Sequence, residues 1–238
     1  RKFTVWDAVL LVGAMAAMIF LIVVASQMGM ALMIIFLFSY SMLLFLFTYL
    51  FSNNRWYIAI APPALFVFLY AYFRDTPMWY NYLINVYGVV FAILITLYLG
   101  SFFTWKSTVI FTGLLTVVDV VLVLVTGTMV SAANQARSLN LPVLISLPVI
   151  PEIVTELGKS YMSLGLGDFF FAGLLAIQTF KNFGRRFAVL SVVAMVASFF
   201  AFEAFILTYG LRAFPGTLMI ICGWLPLVIG NMLKNIVE

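Results

Sequence analysis

The sequence predicts an all-α protein that crosses a membrane several times, and three observations carry that prediction. Hydrophobic residues make up 66% of the 238 and charged residues only 8%, more apolar surface than a soluble domain of this size can bury. The apolar residues fall in repeated runs of about 20, the length at which a helix spans a bilayer. The alternation of a membrane β-barrel is missing, which leaves helices as the spanning structure.

Eight spans follow, roughly 4–26, 28–51, 56–73, 78–100, 107–129, 162–181, 186–209 and 214–233. The connection after Ser26 is so short that the first two helices are expected to form an antiparallel hairpin. Pro62-Pro63 falls inside the third span and predicts a kink there. The one long connection is 130–161, whose middle reads "LNLPVLISLPVIPEIV". Pro142, Pro148 and Pro151 exclude a regular helix in it, and its Val, Ile and Leu favour extended backbone. Two readings stand for this segment: a re-entrant or interfacial loop, and a strand edge able to pair with an unfolded peptide. No linker or charge block divides the chain. It reads as a single transmembrane helical domain, 1–238, with N-terminal helices over 1–104 and a second group over 105–238 that includes the long loop.

The net charge of +4 reflects topology. Arg1, Lys2, Arg55, Lys106, Lys181, Arg185, Arg186 and Lys234 fall on one side of the eight spans. Arg74, Arg137, Lys159 and Arg212 fall on the other, which predicts cytoplasmic termini and an outward 130–161 loop. Twelve basic residues, all near helix ends, do not make a nucleic-acid surface. The single Cys222 has no partner for an internal disulfide, and the chain has no His. It opens on Arg1 rather than Met, so a preceding segment is expected.

Three acids lie inside apolar runs: Asp119 in "LLTVVDVVLVL", Asp168 in "SLGLGDFF" and Glu203 in "SFFAFEAFIL". A carboxylate at that depth costs on the order of 3 kcal/mol or more and calls for a reason. Asp119 stands about ten residues before its span ends, roughly 15 Å down at 1.5 Å per residue. Asp168 stands six to eight residues into the next span, roughly 9–12 Å below the same face. Consecutive antiparallel helices therefore carry two carboxylates at similar depth. Such a pair in low dielectric shares one proton, so one member can activate a water as base while the other protonates a carbonyl oxygen. The absence of His excludes a Ser-His dyad and an HExxH zinc site. No metal or cofactor is called for. Glu203 has no place in this scheme; it reads as bonded within the bundle or facing a water-filled cavity. Gly165 and Gly167 keep the backbone before Asp168 uncrowded, while Gly173 reads as a site of close helix packing.

Asp119 in one apolar helix, Gly165-Leu166-Gly167-Asp168 on the next, and a Pro opening the last helix resemble the GxGD intramembrane aspartyl proteases. That family comprises presenilin and signal peptide peptidase, and the chain looks closest to archaeal presenilin-like homologues. The loop ending in "LPVLISLP" also looks alike, and the resemblance covers about residues 78–234. Two departures stand out. Val118 occupies the place of the family's Tyr, and the family's Pro-Ala-Leu appears as Pro215-Gly216-Thr217, or alternatively as Pro226-Leu227. The family has nine helices with the Asp pair on the sixth and seventh; a missing first helix would reconcile that count with the eight spans here.

The resemblance implies cleavage of transmembrane or signal-peptide segments inside a bilayer, in a multi-pass protein of an archaeal-type cell membrane. It implies Asp119 and Asp168 as the catalytic pair, and Gly165, Leu166 and Gly167 as lining of the substrate cleft. Pro215, Gly216 and Thr217 would shape the site, and the segment near 139–149 would pair with unwound substrate. Oligomeric state stays open. The competing expectation is a proton- or cation-coupled transporter or channel using the same two aspartates.

Overall fold

The computed structural model describes residues 2–24, 29–148, 154–155, 158–159, 161–210 and 214–237. It is a helical, multi-pass membrane protein. Its helices are α1 (Val5–Val24), α2 (Gly29–Phe51), α3 (Trp56–Ala59), α4 (Ala61–Phe73), α5 (Ile84–Gly100), α6 (Trp105–Val120), α7 (Thr128–Ser138), α8 (Leu166–Phe183), α9 (Arg185–Tyr209) and α10 (Gly216–Val237). Single wide π turns precede α5 (Trp79–Leu83) and follow α6 (Val121–Val125). Strands β1 (Leu144–Pro148), β2 (Val154–Thr155), β3 (Gly158–Lys159) and β4 (Tyr161–Gly165) fill the long connection.

Among the described residues, six helical stretches are long and apolar enough to cross a membrane: 5–23, 29–51, 56–73, 105–125, 185–209 and 216–233. The expected count of eight is therefore met in part. The fourth expected span contains α5, an apolar helix of only 17 residues. The sixth begins late, because 161–165 are strand. The third breaks at Ile60, and Pro62 and Pro63 sit in the first turn of α4, as the proline pair predicts. The tight turn after Ser26 lies outside the described residues.

The expected loop at 130–161 begins as a helix. Gly127, at φ 66°, ends the preceding π turn. α7 then runs eleven residues and buries Ala132 and Ala136, one turn apart. Extended backbone follows where the prolines predict it. β1 pairs antiparallel with β4 in the register Leu144↔Gly165 to Pro148↔Tyr161.

Two compact units interleave along the sequence: 1–20, 96–131 and 167–238 in one, 21–95 and 132–166 in the other. In the second unit, Tyr40, Phe66, Tyr87 and Phe91 form an aromatic cluster. The Tyr70 hydroxyl donates to the Leu139 carbonyl at 2.6 Å and Trp79 Nε1 to the Asn140 carbonyl at 2.9 Å. The Asn85 amide brackets β1, its Nδ2 donating to Ser146 O at 3.2 Å while its Oδ1 accepts from Ser146 N at 2.9 Å. Leu166 N–H donates to Val143 O, which turns the alternate peptides at Ser146 and Leu144 away from β4. The side chain of Asn85 thus fills a ladder position on the outer edge of β1.

The first unit holds the two acids. α6 is started by a reciprocal cap: the Ser107 N–H donates to Thr104 Oγ1 and the Thr104 N–H to Ser107 Oγ. Phe111 packs edge to face against both Phe103 and Phe170, which meet each other at a tilt. Gln178 donates to the Phe103 carbonyl, and Trp224 Nε1 to Thr179 Oγ1, each at 2.9 Å. A Cβ on Gly173 would stand 2.6 Å from Thr96 Cγ2, so this glycine does permit the close packing expected of it. Gly223 brings α10 against α9 backbone to backbone, and the Ser198 hydroxyl donates to Met219 O across the same seam.

Gly223→Ala is expected to force α9 and α10 apart, because its Cβ would meet the Ala194 carbonyl carbon at 2.7 Å and Met195 Cα at 2.8 Å. A loss of about 1–3 kcal/mol follows for such overpacking, read as a lower unfolding midpoint in detergent. Asn85→Leu removes both bonds to Ser146, and hydrogen exchange at the Ser146 amide is expected to speed up by about fivefold or more, by the usual worth of about 1–3 kcal/mol for an orphaned group.

Candidate active site

Asp119 is the second-last residue of α6, where the helix widens into a π turn. The Val121 N–H is shared between the carbonyls of Val117 and Val118, and the Thr126 N–H reaches back five residues to Val121 O. Helical backbone runs on only to Val125, so Asp119 stands six residues from that end rather than ten, ~9 Å at helical rise. Asp168 is the third residue of α8, closer to its end than the expected six to eight. Each shift has its own cause. β4 takes the residues assigned to the start of the sixth span, and the π turn closes at Gly127 ahead of α7. The two acids remain near the facing ends of their helices.

The element that joins them is the N-terminus of α10. Asp119 is buried, and its Oδ2 accepts from Thr217 Oγ1 at 2.6 Å and from the Thr217 backbone N–H at 3.3 Å. Asp168, half-buried, lies against the preceding residue. A Cβ on Gly216 would stand 2.6 Å from Asp168 Cγ and Oδ1 and 2.8 Å from Oδ2. One carboxylate thus rests on Gly216 and the other on Thr217. Pro215, also buried, precedes the helix, and its carbonyl accepts from the Met219 N–H. That is a capping place, one residue ahead of the first-turn place expected of it.

Asp119, Asp168, Gly167 and Thr217 line one open pocket with room of about 40 Å³ for water-sized groups. Its other walls are apolar: Met15, Ala16 and Ile19 of α1, Leu115, Val118 and Leu122 along α6 and its π turn, and Met129. Gly167 is exposed, with open space where a side chain would begin. Leu166 is buried, and Gly165 is paired with Leu144 in the hairpin; neither lines the pocket. Pro226 and Leu227 lie deep inside α10, about nine residues or ~14 Å beyond Thr217. Glu203 is half-buried in α9 and does not line the pocket. The contribution of α1 has no signal in the sequence, since Met15, Ala16 and Ile19 look like the rest of a uniformly apolar helix.

Chemically, the arrangement is a pair of carboxylates set in an oily pocket with a hydroxyl donor on one of them. The described residues contain no group of three or more acidic or cysteine side chains that would hold a metal ion.

Gly216→Ala is expected to push the Asp168 carboxylate away from α10 by about 1 Å, since carbon contacts settle near 3.5–4.0 Å. Because the crowded atoms are the end of a side chain, the unfolding midpoint should change little. Experimental structures of the parent chain and the variant, compared at Asp168, check the displacement.

No protein-family model matches this chain and no curated protein matches it, so the two aspartates and their seats on α10 stand on geometry alone.

Proposed function

We propose that this chain is an intramembrane aspartyl protease, of the kind represented by presenilin and signal peptide peptidase, cleaving peptide bonds in transmembrane or signal-peptide segments. The observation that carries the reading is the seating of Asp168 and Asp119 on consecutive residues, Gly216 and Thr217, beside one apolar pocket. Under this reading α5 and α8 are the remaining two crossings of a presenilin-like bundle.

The chemistry follows from a proton-sharing pair. One carboxylate takes a proton from water as its oxygen attacks the scissile carbonyl carbon. The other carboxyl gives its proton to the carbonyl oxygen, leaving a neutral gem-diol. Collapse breaks the C–N bond: the first carboxyl returns its proton to the leaving nitrogen, and the diol O–H returns one to the second. Atoms and charge balance, and the pair is restored. The apolar walls suit a hydrophobic segment. Such a segment must unwind first, because its own helical hydrogen bonds shield its peptides, and the β1–β4 hairpin that leads in sequence into α8 is the kind of element with which an extended chain can pair.

The test is cleavage of a single-span reporter in liposomes. Asp119→Ala and Asp168→Ala are each expected to lose on the order of 10³-fold or more, the usual worth of acid–base catalysis. The wild type should show a bell-shaped pH profile and inhibition by a hydroxyl-bearing peptide isostere. Cleavage surviving in both variants would sink the reading. Ion flux that depends on both aspartates, with no proteolysis by the wild type, would replace it with a transporter.

A further inference from the structure

We propose that Lys2 and Lys181 form a binding site for the phosphate of an anionic lipid headgroup at the turn between α5 and α6. The inference is independent of the protease reading and uses none of the residues that line the pocket.

The site is built on four consecutive carbonyls of that turn, each met by a donor from elsewhere in the first unit. Lys181 Nζ donates to Gly100 O at 3.4 Å and Lys2 Nζ to Ser101 O at 2.6 Å. The Phe3 N–H donates to Phe102 O at 2.8 Å, and Gln178 Nε2 to Phe103 O at 2.9 Å. Phe3 also stacks on Phe102 and meets Phe103 edge-on. The backbone beside Lys2 is therefore pinned by its neighbour, and Lys181 lies about one turn beyond the buried Gln178 on α8. Two ammonium groups from distant parts of the sequence are held on adjacent carbonyls, close enough to repel each other.

Capping a helix does not account for both. A helix C-terminus carries roughly half a unit of negative charge, which one ammonium already outweighs. The second leaves a surplus, and among the described residues no carboxylate comes within ion-pair reach of either lysine. An ammonium has three N–H donors, and each of these spends one on its carbonyl. Both residues are exposed, so donors remain for an anion from outside. A phosphate set between them would relieve the repulsion and take charge-assisted bonds from both.

The level of the site identifies the source of that phosphate. Lys2 precedes α1, Gly100 closes α5, Trp105 opens α6 and Lys181 stands in the last turn of α8. Trp6 and Tyr98 are exposed beside these helix ends, as aromatic side chains are at the headgroup level of a membrane. About one turn further in, Leu10 and Leu97 are exposed and apolar, a surface for acyl chains. The distribution of basic residues predicts that this end faces the cytoplasm, where anionic headgroups give the leaflet its negative potential. A choline headgroup would bring a cation of its own, which two lysines repel.

The experiment titrates the full chain in detergent with phosphatidylglycerol and, separately, with phosphatidylcholine, and counts bound lipid by native mass spectrometry. The wild type is expected to take its first phosphatidylglycerol about tenfold or more tighter than phosphatidylcholine. Lys2→Gln and Lys181→Gln each remove a charge and keep a donor for the carbonyl. Each should weaken phosphatidylglycerol binding about fivefold, the usual worth of one basic residue at an anionic surface, and together about 25-fold, with phosphatidylcholine unchanged. Lys181→Arg should stay within about threefold of wild type. So should Arg185→Gln with Arg186→Gln, which removes two exposed charges at the start of α9. Should the double lysine variant fail to fold, the two single variants carry the reading. A wild type without preference, or a double lysine variant that keeps it, would overturn the site. An arginine variant that loses as much as the lysine one would replace the site with diffuse charge. Displacement of phosphatidylglycerol by inorganic phosphate at low-millimolar concentration would reassign it to a free phosphate; none is expected.

Discussion

An ionisable group placed in an apolar surround has to receive from the protein what water would otherwise give it. In this chain that duty falls to the first turn of one helix. A helix start is one of the few places where unused backbone donors exist at all, and Thr217 adds a hydroxyl to them. The packing around α10 serves to keep that turn in place. Gly223 lets the helix lie directly on α9, the Ser198 hydroxyl reaches across the seam to Met219 O, and Trp224 ties it to Thr179 of α8. The same α8 carries Asp168, so the ruler that spaces the acids and the helix that presents one of them are bolted together two turns away.

The acids themselves were visible in the sequence because charge inside an apolar run is expensive and therefore rare. Asp119, Asp168 and Glu203 announce themselves without any structure, and the break at Pro62-Pro63 and the extended segment after Pro142 are equally plain. What could not be read has physical reasons. A strand and a helix made of the same apolar residues look alike, so 162–165 read as the start of a span although they belong to β4. An eleven-residue helix of moderate polarity leaves no mark on a pattern of long apolar runs, which hid α7. The wall supplied by Met15, Ala16 and Ile19 belongs to a helix with no distinguishing face.

Thr217 shows the deeper limit. Its partner lies 98 positions away, and nothing local separates it from any threonine near a helix start. The triplet Pro215-Gly216-Thr217 was legible as a motif, but the division of roles inside it needed coordinates. Glycine is required where Asp168 presses against the backbone, and a hydroxyl is useful where Asp119 needs a donor. A substitution that looks conservative by size, such as alanine for that glycine, acts on the site and not on the fold.

The π turn after Asp119 carries an implication for how such a chain tolerates change in length. A π turn holds one more residue than an α turn, so it is the helical form of an absorbed insertion. Placed just beyond the acid, it takes up the surplus in 121–125 while the azimuth of Asp119 on α6 is set by the residues before it. The segment that follows, through Gly127 and α7, is thereby uncoupled in phase from the carboxylate. Residues could be gained or lost there and be absorbed as slack, while the acid continues to face the first turn of α10.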